Sequence, residues 1–454
     1  MSERSFDVVV IGAGPAGEVC AGRLSEGGLD VVIVEEHLVG GECSYFGCMP
    51  SKGLLRPGQA LAEARRIPGA AEAVDGLDVQ SVFERRDEIV HDLHDDVQLP
   101  WLENLGIALV RGHGRITGER TVVVGDETLV ARQAVVIATG TEPLLPPIPG
   151  LREARPWTNR EAVNAHEVPP SLVVLGGGTV GVEMASAFAS LGSRVTVIEA
   201  GPRVLAREEP FAGDEVCDAL AEAGVLVRAD TRATAVSRVD GKVSVELDDG
   251  SSVSGDQILV GVGRRTLSAD LGVDSLGVEP GRPVEVDDTL RVPGHDWLYV
   301  IGDANGRALL THMGKYQGRL AADRILGRDA PLRSDGPLSP RVTFTDPQVA
   351  AVGHTLASAQ EAGIDARAVD VPTEGNAGGS FVGRGSPGTA RIVVDEDRRI
   401  IVGATFTGAE IAEALHAATI AVIGEVSLDD LWHAVPCFPT RSELWLKLLE
   451  AYGM

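Results

Sequence analysis

Two cysteines, Cys43 and Cys48, stand in the stretch GGECSYFGCMPSK, Gly40 to Lys52. In an ideal helix, residues at this spacing have Cα atoms about 8–9 Å apart, from the helix rise and radius. A disulfide prefers about 5–6 Å. A bonded pair therefore needs a distorted helix start, which Gly40, Gly41 and Gly47 permit. A helix N-terminus also favours the thiolate over the thiol. The pair suits dithiol–disulfide chemistry, and its plain alternative is two unrelated buried thiols. Lys52 stands out because the chain has only four lysines, at 52, 242, 315 and 447, and otherwise uses arginine. A lysine kept here points to a role, the alternative being a helix-surface charge.

The elements that must position these groups are written as an internal repeat. One segment reads FDVVVIGAGPAGEVCAGRLSEGGLDVVIVE and the other SLVVLGGGTVGVEMASAFASLGSRVTVIE. Each is an apolar β-branched run, a G-x-G-x-x-G turn, a helix-period stretch, a second apolar run and a glutamate, Glu35 or Glu199. The two match in spacing from Gly12 to Glu35 and from Gly176 to Glu199. This predicts two βαβ units. In each, the first glycine makes the tight turn, the second admits a pyrophosphate, and the third lets helix and strand pack closely. The helix N-terminus attracts the anion, and the glutamate can bind a ribose diol.

A length of 454 residues implies two to four domains. The net charge of −26 argues against nucleic acid and anionic membrane partners and is read as solubility. No apolar run approaches the roughly 18–20 residues of a membrane span, and the N-terminus lacks a basic region before its apolar run. The expectation is a cytoplasmic protein without membrane contact. Five cysteines are too few for a secreted disulfide scaffold. Cys20 and Cys217 fall in helical patterns and are read as buried thiols. His91 and His94, at i, i+3 spacing, are read as a solvated helix face, with no metal expected. The proline-rich PLLPPIPG, ending at Gly150, and the segment LGRDAPLRSDGPLSP around 326–340 are natural boundaries.

Read together, these motifs resemble the class I pyridine nucleotide–disulfide oxidoreductases, which include dihydrolipoamide dehydrogenase, glutathione and mycothione reductases, and mercuric reductase. The resemblance covers essentially the whole chain. It rests on the first βαβ unit, GGECSYFGCMPSK, VVIATGTEP (135–143), the second glycine repeat, GVGRR (261–265), VIGDAN (300–305) and VTFTDPQVAAVG (342–353). It implies an α/β fold with two Rossmann-like domains, for FAD and NAD, and an α+β dimerisation domain. The implied boundaries are 1–150 with 263–335 for FAD, 151–262 for NAD and 340–454 for the dimer contact. It implies a redox disulfide Cys43–Cys48, with Cys48 the thiolate facing the flavin and Cys43 the interchange thiol. Lys52 would lie near flavin N5 and pair with Glu183. The cofactor-binding set it implies is Gly12, Gly14, Gly17, Glu35, Lys52, Gly114, Thr139, Gly140, Asp303, Thr311, Gly176, Gly178, Gly181, Glu199, Gly261 and Gly263. Glu199 favours NADH, because a carboxylate repels the 2′-phosphate of NADPH; Arg194 and Arg203 nearby would soften that preference.

The chain departs from the family near its end. Disulfide reductases of the family carry H-P-T-x-S-E, whose histidine and glutamate, from the partner subunit, serve as an acid–base dyad. Here the stretch is Phe438-Pro439-Thr440-Arg441-Ser442-Glu443. Glu443 is kept, the histidine is not, and His433 upstream is the nearest candidate to replace it. Cys437 is read as an interface cysteine. The mercuric reductases that also lack this histidine resemble proteins ending in a vicinal cysteine pair, whereas this chain ends LLEAYGM; mercury detoxification is not expected. The reading is a homodimeric FAD oxidoreductase using NADH to reduce a small disulfide or quinone-like acceptor. Its rivals are a diaphorase-like quinone reductase and a non-catalytic flavoprotein redox sensor.

Overall fold

The apolar runs and glycine turns set the architecture seen in a computed structural model, which describes residues 2–454. The chain forms two compact units. The first comprises the segment ending at Pro50 together with Asp87–Leu144 and Gly263–Gly336. Its sheet orders the strands Ala108–Arg111, Val31–Glu35, Ser2–Ile11, Glu127–Ile137, Thr121–Val124 and Gly114–Gly118, with Leu298–Val300 also on Glu127–Ile137. The pairings among Ala108–Arg111, Val31–Glu35, Ser2–Ile11, Glu127–Ile137 and Leu298–Val300 are parallel. Val8, Val9 and Val10 are fully buried, as strands covered on both faces must be. The chain moves to one side of Ser2–Ile11 and then to the other. That reversal is a topological switch point, where α/β sheets open a ligand crevice.

The second unit comprises Ser51–Arg86, Leu145–Val262 and the segment from Pro337 onward. It holds a parallel sheet ordered Leu226–Arg228, Arg194–Ile198, Ser171–Leu175 and Gln257–Val260. It also holds an antiparallel sheet ordered Arg341–Thr343, Gln348–Gly353, Ile400–Gly408, Thr389–Asp395 and Ala366–Pro372. The mixed α/β class expected from the sequence is present, and both glycine repeats fold as βαβ units.

Two local readings are corrected. His91 and His94 do not share an α-helical face. The helix ends at Ile89, and His91, Asp92 and Leu93 all take left-handed backbone angles, with φ of 50°, 49° and 60°. Cys20 is fully buried as expected, but Cys217 is only half-buried on the helix Pro210–Glu222. No helix among the described residues is long and apolar enough to cross a membrane.

Candidate active site

The two glycine turns match atom for atom in their crowding. Gly12 and Gly176 have φ of 106° and 103°, open only to glycine without strain. A side chain on Gly12 would be driven into the Ala138 carbonyl, and one on Gly176 into the Gly261 carbonyl. A side chain on Gly17 or Gly181 would strike the carbonyl of Gly12 or Gly176. By contrast, nothing lies within 4 Å of the position a Cβ would take on Gly14 or Gly178. Each turn therefore leaves an open cradle at a helix N-terminus, of the kind that takes a pyrophosphate.

The acidic ends are held alike. Glu35 accepts the Ala13 N–H at 2.7 Å and the His37 N–H at 2.8 Å. Glu199 accepts the N–H groups of Gly177 at 2.5 Å and Gly201 at 2.6 Å. Each carboxylate keeps lone pairs for a ribose diol. The first cradle and Glu35 fit the adenosine diphosphate half of FAD; the second, with Glu199, fits a nicotinamide dinucleotide. Of the other expected residues, Gly114 packs on Ile11 and Val34 at the ends of the central strands. The Thr139 hydroxyl donates to the Leu267 carbonyl at 3.0 Å, and Gly140 has φ of 71°. Gly261 donates to the Leu175 carbonyl, and Gly263 accepts the Leu144 N–H.

The cysteines sit at a helix break. A five-residue helix, Gly41–Tyr45, carries Cys43, and a new helix, Cys48–Arg66, begins at the second cysteine. Phe46, with φ −132° and ψ 0°, separates them. Gly47 allows the break because a side chain there would crowd the Glu42 carbonyl and the Cys43 Cα. The distorted helix start expected from the spacing is thus present. Cys43 and Cys48 are both free cysteines.

Cys43 is half-buried and Cys48 exposed. A hydrogen bond to Cys48, then burial, hold the Cys43 thiol well above the usual thiol range, while Thr311 and Lys315 pull it down. The Cys48 sulfur lies 3.4 Å from the Thr311 hydroxyl, at the first residue of the helix Thr311–Ile325. The helix N-terminus favours the anion there.

Lys52 lies one turn beyond Cys48 on the helix Cys48–Arg66. Its Nζ is 2.8 Å from Glu183 Oε2 and 4.7 Å from the centre of the Phe344 ring. The expected Lys52–Glu183 pair is formed. Asp303 accepts from the Thr141 hydroxyl at 2.8 Å. Burial pushes the Asp303 carboxyl up, against the pull of Thr141 and Arg264.

With both cradles and the thiol pair described, comparison with known proteins is decisive. Residues 6–318 match the pyridine nucleotide-disulphide oxidoreductase family, and residues 339–448 match its dimerisation domain. This chain belongs to the pyridine nucleotide-disulphide oxidoreductase family. It is 31% identical to a dihydrolipoyl dehydrogenase of Chlamydia muridarum, over 97% of this chain and 95% of that one. It is 28% identical to a mercuric reductase of Staphylococcus aureus, over 96% of this chain and 81% of that one. The HOCl-induced flavoprotein disulfide reductase RclA of Escherichia coli, solved alone and as a Cu(II) complex, superposes with a TM-score of 0.86 at 25% identity, covering 98% of this chain and 99% of that one.

In the C-terminal stretch, Phe438 is 76% exposed. Glu443 opens the helix Glu443–Tyr452, and its buried Oε2 has no hydrogen-bond partner among the described residues. His433 caps the helix Leu428–Trp432 with its side chain exposed. No hydrogen bond or ion pair joins it to Glu443 among the described residues. Cys437 is exposed.

Sequence reasoning missed three features. Phe344 completes the surroundings of Lys52. An ion pair joins Arg264 to Glu42, the residue before Cys43. Glu18, in the first turn of Pro15–Glu26, is pushed by burial up to about 7, and its Oε1 has no partner among the described residues. Only Glu18 left a signal, a carboxylate one helical turn after the glycine turn and among small and apolar residues.

Proposed function

We propose that this chain is an NADH-using FAD oxidoreductase that reduces a small disulfide or another small acceptor through Cys43 and Cys48. The observation that carries the reading is the hydrogen-bonded thiol pair at a helix N-terminus, in the same unit as the first glycine cradle. Bound FAD supplies hydride acceptance from the nicotinamide and delivery of two electrons to sulfur. The protein's residues do the rest. The FAD site would use Gly12, Gly14, Gly17, Glu35, Gly114, Thr139, Gly140, Asp303, Thr311 and Lys52. The nicotinamide site would use Gly176, Gly178, Gly181, Glu199, Gly261 and Gly263. Residues 1–150 with 263–335 form the FAD domain and 151–262 the NAD domain in this reading.

Cys43, once deprotonated, attacks one sulfur of the acceptor disulfide, and the other leaves as a thiolate that takes up a proton. Cys48 then attacks Cys43 in the mixed disulfide. This releases the second thiol and leaves Cys43–Cys48 oxidised. Residues 340–454 would form the homodimer contact, supported by the match to the dimerisation domain. Exposed apolar side chains there, Ile420, Trp432, Val435 and Phe438, suit a covered face.

A second reading, a quinone reductase in which the thiols are secondary, is favoured by Phe438. A quinone does not need a histidine to protonate a leaving thiolate. A steady-state screen with NADH separates the readings. Turnover with small disulfides supports the first, and turnover with quinones alone supports the second. Soft metal ions join the screen because relatives are described as mercuric reductases and as a Cu(II) complex. No turnover with any acceptor would leave only the redox-sensor reading and defeat the proposal.

A further inference from the structure

We propose that His113 is a positioning residue for the adenosine end of the FAD site, its two ring nitrogens clasping Glu36, the neighbour of Glu35, to the Asp270 carbonyl. The proposal rests on the reading of the first glycine cradle and Glu35 as the place of the adenosine diphosphate half of FAD. The contact begins in the backbone. Val31–Glu35 pairs with Ala108–Arg111, and Glu35 stands opposite Arg111. Just beyond, the Gly112 N–H donates to the Glu35 carbonyl at 2.9 Å. His113 and Glu36 are the next residues on the two segments. His113 Nδ1 lies 3.0 Å from Glu36 Oε2, and Nε2 lies 2.9 Å from the Asp270 carbonyl oxygen.

Both of these partners accept hydrogen bonds, and neither a carbonyl nor an ionised carboxylate can donate one. A neutral imidazole carries one N–H and can serve only one of them, whereas the imidazolium carries two and serves both. The geometry therefore selects the charged ring. The groups around it favour the same form. Asp270 Oδ2 is 3.6 Å from Nε2, and Arg115 Nη1 is 2.8 Å from Asp270 Oδ1. Glu36, Asp270 and Arg115 together leave one carboxylate in excess, which a charged ring neutralises. The hydrogen bond to the Asp270 carbonyl, opposed by burial, and then Glu36 raise His113 above the usual histidine value. The Asp270 side of the clasp is fixed, by Arg115 and by the Ile116 N–H donating to the Leu271 carbonyl at 2.8 Å. The Glu36 carboxylate has no other hydrogen bond among the described residues. Arg111 holds the following carbonyl, His37, at 2.9 Å. The clasp thus adds to a loop already tied at its backbone. His113 and Glu36 are also 41% and 52% exposed, so its effect is several-fold and no more.

Because the ring's pKa is raised in the folded state, the clasp is complete below the usual histidine value of about 6.5 and is lost as pH rises through the raised value. The test follows FAD release from the holoenzyme by the fluorescence of free flavin, over about pH 6 to 9. The release rate of the parent should rise several-fold across that range. His113→Gln, which keeps a donor but no charge, should release FAD at the fast rate throughout. Glu18 titrates in the same unit, so the slope that counts is the one His113→Gln removes. A slope left intact in that variant would overturn the proposal. Histidine C2 proton exchange, read by peptide mass mapping, gives the His113 midpoint independently. Glu36→Gln should lower that midpoint, and a parent midpoint at or below about 6.5 would also overturn the proposal. Glu35→Ala separates the clasp from the site it serves. Unchanged release in Glu35→Ala would defeat the reading of the adenosine site. Faster release in Glu35→Ala but not in His113→Gln would defeat the clasp and leave the site standing.

Discussion

Lys52 Nζ and Glu183 Oε2 lie 2.8 Å apart, and the other oxygen of Glu183 accepts the Phe344 N–H at 2.9 Å. Glu183 is only 3% exposed. A carboxylate buried that deeply is tolerated only when paired and hydrogen-bonded, and here both conditions are met. The Phe344 ring under the ammonium adds a cation–π contact. Lys52 is thus held by one fully buried partner.

Glu183→Ala should therefore free Lys52 and strand the Phe344 N–H. The expected loss is about 1–3 kcal/mol, kept modest because Lys52 is 34% exposed and partly screened by solvent. Denaturant unfolding of the FAD-loaded protein measures it. Glu183→Gln should retain most of the stability. Equal losses in both variants would mean that the charge, not the hydrogen bonds, holds the site.

Anaerobic addition of one equivalent of NADH should produce a long-wavelength absorbance band from a thiolate against the flavin. The motive is the Cys48 sulfur at the N-terminus of the helix Thr311–Ile325, beside a Cys43 thiol held up by its hydrogen bond to Cys48 and by burial. Cys48→Ser should abolish the band, and Cys43→Ser should leave it. The reverse pattern would exchange the two roles.

Glu199 should make NADH the better donor. Both of its oxygens are already pinned by the Gly177 and Gly201 N–H groups, so the carboxylate cannot swing away from a 2′-phosphate. Catalytic efficiency with NADPH should be lower by about tenfold or more, the effect of 1.4 kcal/mol. Comparable efficiencies with the two donors would show that nearby arginines, such as Arg203, neutralise it.

Glu18 makes the stability of the fold depend on pH. Burial raises its carboxyl from 4.5 to about 7. Below pH 4.5 both folded and unfolded forms are protonated, and the stability is fully present. Between 4.5 and about 7 the unfolded chain ionises first, so stability falls as pH rises and then levels off. The full loss is on the order of 3 kcal/mol. Glu18→Gln should abolish this slope and be more stable than the parent at pH 8. Identical stability-versus-pH curves would refute the burial argument.

The glycine turns, Glu35, Glu199 and the thiol pair were legible because local geometry dictates their spacing. A tight turn needs glycine at fixed offsets, and a carboxylate must end the second strand. The Lys52–Glu183 pair was legible only through family resemblance, since nothing local joins the two. Phe344 and the Arg264–Glu42 pair were not legible, because the fold alone brings such distant segments together. His91 and His94 misled because i, i+3 spacing assumes a helix, and three left-handed residues break it there. Cys217 sits on a helix face that is only partly covered, which its apolar neighbours did not reveal.

Phe438 sets the last prediction. Thiol exchange ends with a leaving thiolate that needs a proton, and a positioned acid or base typically contributes about 10²–10⁴-fold. Phe438 cannot carry one, and its side chain is 76% exposed. His433 caps a separate short helix and is not bonded to Glu443 among the described residues. Small disulfides such as lipoamide or glutathione disulfide should therefore be turned over slowly, and His433→Ala should change that rate by less than about threefold. The buried Glu443 Oε2 is an acceptor without a donor among the described residues. Phe438→His would place an imidazole at the family's position on the same stretch, with that oxygen to orient it. Disulfide turnover in Phe438→His should rise by about 10–100-fold, at the lower end of the acid–base range. The gain should require Glu443, so Glu443→Gln in the Phe438→His background should remove most of it. Fast turnover by the parent enzyme would show that another group already supplies the proton. A loss of a hundredfold or more in His433→Ala, with FAD content intact, would identify that group as His433.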